Sequence, residues 1–208
     1  PAFYCPSEGG KPLPVNYDRI RRFLESFENH AREHGVNVSR IVEQNDLPTH
    51  GNLVPDGRKR EHFIGLEHDN GASVTLEPSA QVELSGAPYE NLSEVYNEYA
   101  KHLELCEQAC KDTDLEMASL GCNPFYTSNM LDIVPKRRYE IFLNALNRAE
   151  VGWHLATMTA TTQVNLDIRD DDDFVTKLQT GLSIQPVVTA IFANSPFEEG
   201  TLTGYKSY

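Results

Sequence analysis

With 208 residues the chain has room for one good-sized domain, and 39% hydrophobic with 24% charged residues exclude the disordered and fibrous classes. The net charge of −13 removes any general attraction for nucleic acid or anionic lipid, so a polyanionic ligand would need divalent cations as a bridge. No apolar run reaches bilayer-spanning length and no charged-then-apolar leader opens the sequence, which points to a cytoplasmic or organelle-stromal setting with no membrane partner.

The first dozen residues, rich in Gly and Pro, read as loop. From Asn16 to His34, Tyr17, Ile20, Phe23, Leu24, Phe27 and Ala31 recur at helical spacing, and Gly35 stops the helix. Asn37 to Glu43 alternates like a strand, and the charged stretch from Leu47 to Arg60 reads as a loop. Three short strands follow at His62–Glu67, Ala72–Leu76 and Gln81–Leu84. The turn signals between them, His68 to Gly71 and Pro78 to Ala80, make the three an antiparallel meander.

Pro88 opens a long helix with Leu92, Val95, Tyr96, Tyr99 and Leu103 on one stripe. Leu115 to Leu120 reads as a strand, Lys136 to Ala149 as a helix, and Thr157 to Ile168 as a strongly alternating strand. Asp170 to Asp173 cap and begin a last helix that runs toward Phe192, with a kink at Pro186. Strands and helices mixed without regular βαβ alternation give an α+β fold. The four cysteines, Cys5, Cys106, Cys110 and Cys122, form no CxxC pair. Cys106 and Cys110, four apart in a helix, read as small residues on a partly buried face.

Two segments carry candidate chemistry. In the first, Glu77 ends one strand and Glu83 lies on the next, with Gln81 two residues before Glu83 and so on its face. A hairpin can turn the two carboxylates toward each other, and convergent oxygens suit a hard cation. The same spacing also fits two glutamates facing solvent. In the second, alternation places Thr159, Thr161, Gln163, Asn165 and Asp167 on one face of a strand. Those amides and hydroxyls could serve a metal or an anion, or could simply face water. The cluster Lys136-Arg137-Arg138 sits at a helix start, against the macrodipole, where an arginine could meet phosphate or carboxylate.

Thr75 to Pro88, read as T-L-E-P-S-A-Q-V-E-L-S-G-A-P, resembles a signature of glutamate–cysteine ligases of the plant and proteobacterial type. Three further blocks fall in the same order: Val134-Pro135-Lys136 with Arg138-Tyr139, Thr161 to Asp167, and Ile191 to Phe197 with Glu199-Gly200. The resemblance implies a glutamine-synthetase-like catalytic fold, an antiparallel sheet funnel with helices packed outside. Residues 1–208 would be a single, partial catalytic domain. It implies an ATP- and Mg²⁺-dependent ligase that joins the γ-carboxylate of glutamate to the amine of cysteine through an acyl phosphate, the first step of glutathione synthesis. Its partners are then ATP, glutamate and cysteine.

By the same resemblance Glu77, Glu83 and Gln163 are metal ligands, and Thr161, Asn165 and Arg138 line the ATP and substrate site. Ser79-Ala80 stands where many members have Gly-Gly, and Met158 where some carry arginine. Family members also have an upstream strand with more acids and a downstream half for glutamate. The chain is therefore expected to be a fragment or a naturally short relative. The alternative readings are a non-catalytic relative that binds a small amino acid or a protein, and a ligase for a different amine.

Overall fold

The computed structural model describes residues 2–4, 12–51, 53–146 and 151–207. Its centre is a four-stranded antiparallel sheet, β2 (Val38–Asn45), β3 (Arg60–His68), β4 (Ser73–Leu76) and β5 (Val82–Ser85), in chain order. Each strand pairs with the next: short turns join β3 to β4 and β4 to β5, and a longer loop over residues 46–59 joins β2 to β3. A two-stranded pairing of β1 (Ala2–Tyr4) with β6 (Glu116–Ala118) lies apart from this sheet.

The first helix, α1 (Tyr17–Glu33), forms as its apolar spacing requires. Asn16 caps it by accepting from the Arg19 amide at 3.0 Å, and Gly35 takes the left-handed conformation just beyond its end. Its stripe of Ile20, Phe23, Leu24 and Phe27 is fully buried. Those side chains join Leu66, Val74, Leu76 and Val82 of the sheet and Leu105, Cys106 and Ala109 of α2 (Leu92–Thr113) in one core. Buried Glu28 stays ionically paired, with Arg40 of β2 at 2.7 Å and Arg32 at 2.6 Å, and so ties α1 to the sheet.

Two details shape the sheet's other face. The register of β2 and β3 slips between Ile41 and Val42, which lie opposite Gly65 and Phe63, so Ile64 has no opposite number. Such a bulge re-aims side chains. Gly65 also lies opposite Thr75, where a Cβ would stand 2.6 Å from the Val74 carbonyl oxygen. Only a glycine lets β4 approach β3 this closely.

Several expected elements differ. The long helix begins at Leu92 with Asn91 as its cap, after Pro88. Leu92, Val95, Tyr96 and Tyr99 are exposed, and the face that packs on α1 is His102, Leu105, Cys106, Ala109 and Cys110. The helix outruns the core, so its first two turns have nothing to bury against. The helix expected over Lys136 to Ala149 is α3 (Arg137–Ala145), and its expected end lies outside the described residues.

The strand expected over Thr157 to Ile168 is not formed. Helix α4 (Val151–Met158) takes its start, and Thr159 makes one isolated bridge to Cys122. The Ala160 amide still donates to the Gly121 carbonyl at 3.0 Å, but from residue 161 to 169 the alternation continues with no paired strand among the described residues. Its apolar positions Val164, Leu166 and Ile168 are therefore open to solvent. Beyond it, α5 (Asp171–Ile191) is capped by Asp170, contains Pro186 and buries none of its residues. A short hairpin of β7 (Phe197–Glu198) and β8 (Thr201–Leu202) follows. Among the described residues no helix is long and apolar enough to cross a membrane.

Candidate metal and nucleotide cleft

The turn from β4 to β5 sets the geometry. The Glu77 amide donates to the Gln81 carbonyl at 2.8 Å, and the Ala80 amide to the Glu77 carbonyl at 3.0 Å. Pro78, Ser79 and Ala80 thus form a three-residue loop, closed by Ala80 in the left-handed region at φ 66°. This loop carries Glu77 and Glu83 on the same open face of the sheet as Thr75, which pairs with Glu83.

Gln81 departs from the expectation that it points alongside Glu83. Its side chain is buried and accounts for three hydrogen bonds. The Ser79 amide donates to it at 2.9 Å, and it donates to the carbonyls of Thr157 at 3.2 Å and Thr159 at 2.9 Å. The turn bends this residue away from the acids and makes it a strut between the hairpin and the end of α4.

Glu77 and Glu83 face an open cleft of about 370 Å³. The carboxyl of Glu77 is held above the usual range, first by burial, then by the charge of Glu83 and a hydrogen bond between the two acids. Two cationic side chains border them. Arg138 approaches Glu77 at 3.5 Å and donates to the Tyr139 hydroxyl at 2.7 Å. Lys136 is buried and donates to the Leu76 carbonyl at 2.6 Å; burial, and then the neighbouring Arg138, lower its pKa to about 8. Tyr139 ties the parts together by donating to the Leu76 carbonyl at 2.8 Å and to Glu77 at 3.2 Å.

Ile41 and Glu43 of β2, Ile64 of β3 and Ser85 of β5 complete the walls. Ser85 donates to Glu83 at 3.3 Å. The cleft therefore offers carboxylate oxygens beside fixed cations, an arrangement able to take a hard divalent cation together with an anion. Among the described residues no three His, Cys, Asp or Glu side chains are grouped closely enough to hold a metal by themselves. Two adjacent, partly buried carboxylates still fit magnesium, which commonly takes one or two protein carboxylates and fills its octahedron with water and substrate phosphate.

Of the residues singled out from sequence, Glu77, Glu83 and Arg138 come together here. Thr161, Gln163 and Asn165 do not line the cleft. They lie on the exposed, unpaired segment, where Gln163 donates to Thr161 at 3.0 Å. Glu43 escaped the sequence reading, and Lys136 and Tyr139 were named there only as members of a motif, with no role in the site. Alternation along β2 would have set Glu43 on the face of Ile41, but nothing in that spacing says which face meets α3.

Among the described residues no cysteine lines the cleft. Cys106, Cys110 and Cys122 are free and buried, and burial pushes the thiols of Cys106 and Cys110 up to about 12, which leaves them unreactive. Cys5 lies outside the described residues.

Compared with known proteins, residues 20–208 match the family described as glutamate-cysteine ligase family 2 (GCS2). The chain is 35% identical over 195 residues to glutamate–cysteine ligase A, chloroplastic, of Oryza sativa subsp. japonica, covering 93% of this chain and 35% of the rice protein. It is 38% identical over 201 residues to glutamate–cysteine ligase, chloroplastic, of Solanum lycopersicum, covering 96% of this chain and 34% of the tomato protein. Against the protein of the same name from Arabidopsis thaliana it is 36% identical over 148 residues, 71% of this chain and 28% of that one. The chain spans about a third of the length of these relatives.

Proposed function

The chain belongs to the glutamate–cysteine ligase family, and from that premise we propose that the cleft over β2 to β5 is part of the metal and nucleotide site of an ATP-dependent carboxylate–amine ligase. The observation that carries this reading is the Glu77–Glu83 pair, two carboxylates held against each other beside Arg138. Like charges so placed are costly, and a divalent cation relieves that cost. Bound there, Mg²⁺ would neutralise the charge of the ATP phosphates during transfer to a carboxylate. Glu77 and Glu83 supply the anionic oxygens, Tyr139 orients Glu77, and Arg138 meets the phosphate or carboxylate on the open side.

Residues 1–208 are part of one catalytic domain with a glutamine-synthetase-like fold. Support comes from an antiparallel sheet with an acidic open face and helices on the other side. The whole enzyme would phosphorylate the γ-carboxylate of glutamate and pass the acyl group to the amine of cysteine, the first committed step toward glutathione. Thr161, Gln163 and Asn165 belong to this proposal as lining for the nucleotide and metal, a role that needs their segment seated as a strand. Residence in an organelle stroma or the cytoplasm is part of the same proposal, supported by relatives named chloroplastic.

Calorimetric titration with ATP tests this reading. We expect binding that requires Mg²⁺ and is lost in the Glu77→Gln/Glu83→Gln double variant. ATP binding that survives both substitutions unchanged would remove the metal assignment.

A further inference from the structure

Resting on that reading of the cleft, we infer that Glu43 is a positioning residue: from β2 it clamps the start of α3 and so holds Arg138 and Tyr139 against Glu77, and it is not itself a metal ligand. The observations are local and independent of the acid pair. Helix α3 has an acidic residue, Glu140, in its first turn, but its cap residue Lys136 makes no side-chain capping bond. A carboxylate 94 residues earlier does that work instead, as Glu43 accepts from the Arg137 amide at 2.7 Å. A helix start leaves its first amides without internal partners, and a carboxylate there satisfies one and matches the helix dipole.

The clamp extends along the end of β2. Asn45 donates both to Glu43 at 2.9 Å and to the Pro135 carbonyl at 2.8 Å. Asp46 faces the Arg137 guanidinium at 3.5 Å. Glu43 and Asn45 at the end of the strand and Asp46 just beyond it thus grip residues 135–137, and the next turn reaches β4 through Tyr139 and Arg138. Both donors meet the same oxygen of Glu43, Oε1, which ties the carboxylate to the start of α3, and among the described residues Glu43 forms no three-carboxylate group with Glu77 and Glu83.

The test compares Glu43→Ala and Glu43→Gln with the unaltered 208-residue chain. Three quantities are read: amide exchange across residues 136–140, Mn²⁺ binding by electron paramagnetic resonance, and ATP affinity in Mg²⁺. Losing one cap is expected to speed exchange at Arg137 and weaken ATP binding by about five- to tenfold in the Ala variant. The Gln variant keeps an acceptor oxygen for the Arg137 amide, and it is expected to restore both values and to bind Mn²⁺ like the unaltered chain.

Loss of Mn²⁺ binding in Glu43→Gln to the extent seen in Glu77→Gln would make Glu43 a ligand and overturn the assignment. Unchanged Arg137 exchange in Glu43→Ala would show that there is no clamp. Faster exchange with unchanged ATP affinity would reduce the residue to a purely structural one. Failure of the unaltered chain to bind either Mn²⁺ or ATP would instead count against the reading of the cleft, and the exchange data would still decide whether Glu43 caps α3.

Discussion

Replacing Gly65 by alanine tests how the cleft's floor is built. The new methyl would stand 2.6 Å from the Val74 carbonyl oxygen and 3.2 Å from both Cα and Cγ2 of Thr75. An ordinary carbon–oxygen contact of about 3.3 Å requires β4 to retreat by roughly 0.7 Å. Both obstructing groups belong to the backbone or side chain of a paired strand, so no flexible side chain can swing aside. Overpacking of this kind costs about 2 to 3 kcal/mol. In a chain of this size that corresponds to a fall in Tm of roughly 4 to 12 °C. Urea denaturation gives the free energy directly, and the same sample titrated with Mg²⁺ and ATP reports on the cleft, because Thr75 and Glu77 move with β4. Weaker nucleotide binding is expected together with the lost stability. A loss below about 0.5 kcal/mol, within the range of an ordinary surface substitution, would refute the argument that β3 and β4 need this glycine.

Other substitutions probe other parts of the molecule. Gly181→Ala adds the same methyl within α5, where nothing lies within 4 Å, and is expected to stabilise by about 0.5 to 1 kcal/mol in the same denaturation assay. Glu77→Gln is expected to raise Tm at neutral pH. The folded chain holds the Glu77 proton more tightly than the unfolded chain, so stability falls as pH rises through the raised folded value and stays reduced above it. Scans at low pH check the sign, because the gain over the unaltered chain is expected to vanish below the ordinary carboxylate range. His102, buried beside Cys106 and the Phe27 ring, has its pKa lowered to about 4, mainly by burial. The unfolded chain then binds more protons between pH 6.5 and 4, so stability drops by on the order of 3 kcal/mol as pH falls through that window. Denaturation at stepped pH is expected to show a flatter acid limb in His102→Met.

Local pattern and tertiary context account unequally for what the sequence disclosed. The stripe of α1 and the hairpin chemistry of β3 to β5 were legible because each depends on neighbours within a few residues. Every apolar position predicted for α1 is buried. The stripe from Leu92 to Tyr99 has the same spacing but is exposed, because periodicity reports a face and says nothing of whether another element covers it. Residues 161–169 make the same point for strands, since alternation without a partner strand leaves an exposed segment. In the cleft, the two acids and Arg138 could be read from motifs. Glu43 could not, because its significance lies in an amide 94 positions away, brought near only when the sheet and α3 pack.

The hairpin between the acids has a consequence for how this region can change over time. Side chains along a strand alternate between its two surfaces, so one added or deleted residue in the loop from Pro78 to Ala80 that slips β5 by one position against β4 exchanges the surfaces of its side chains. Glu83 would be driven toward the oily interior, and Val82 with Leu84 would be turned out to the place it vacated. Point substitutions in this loop can be absorbed as shifts of local strain, whereas a change of length puts the register of β5 at stake. Insertions and deletions are therefore expected to be tolerated in the exposed residues 54–59 between β2 and β3 long before one is tolerated here.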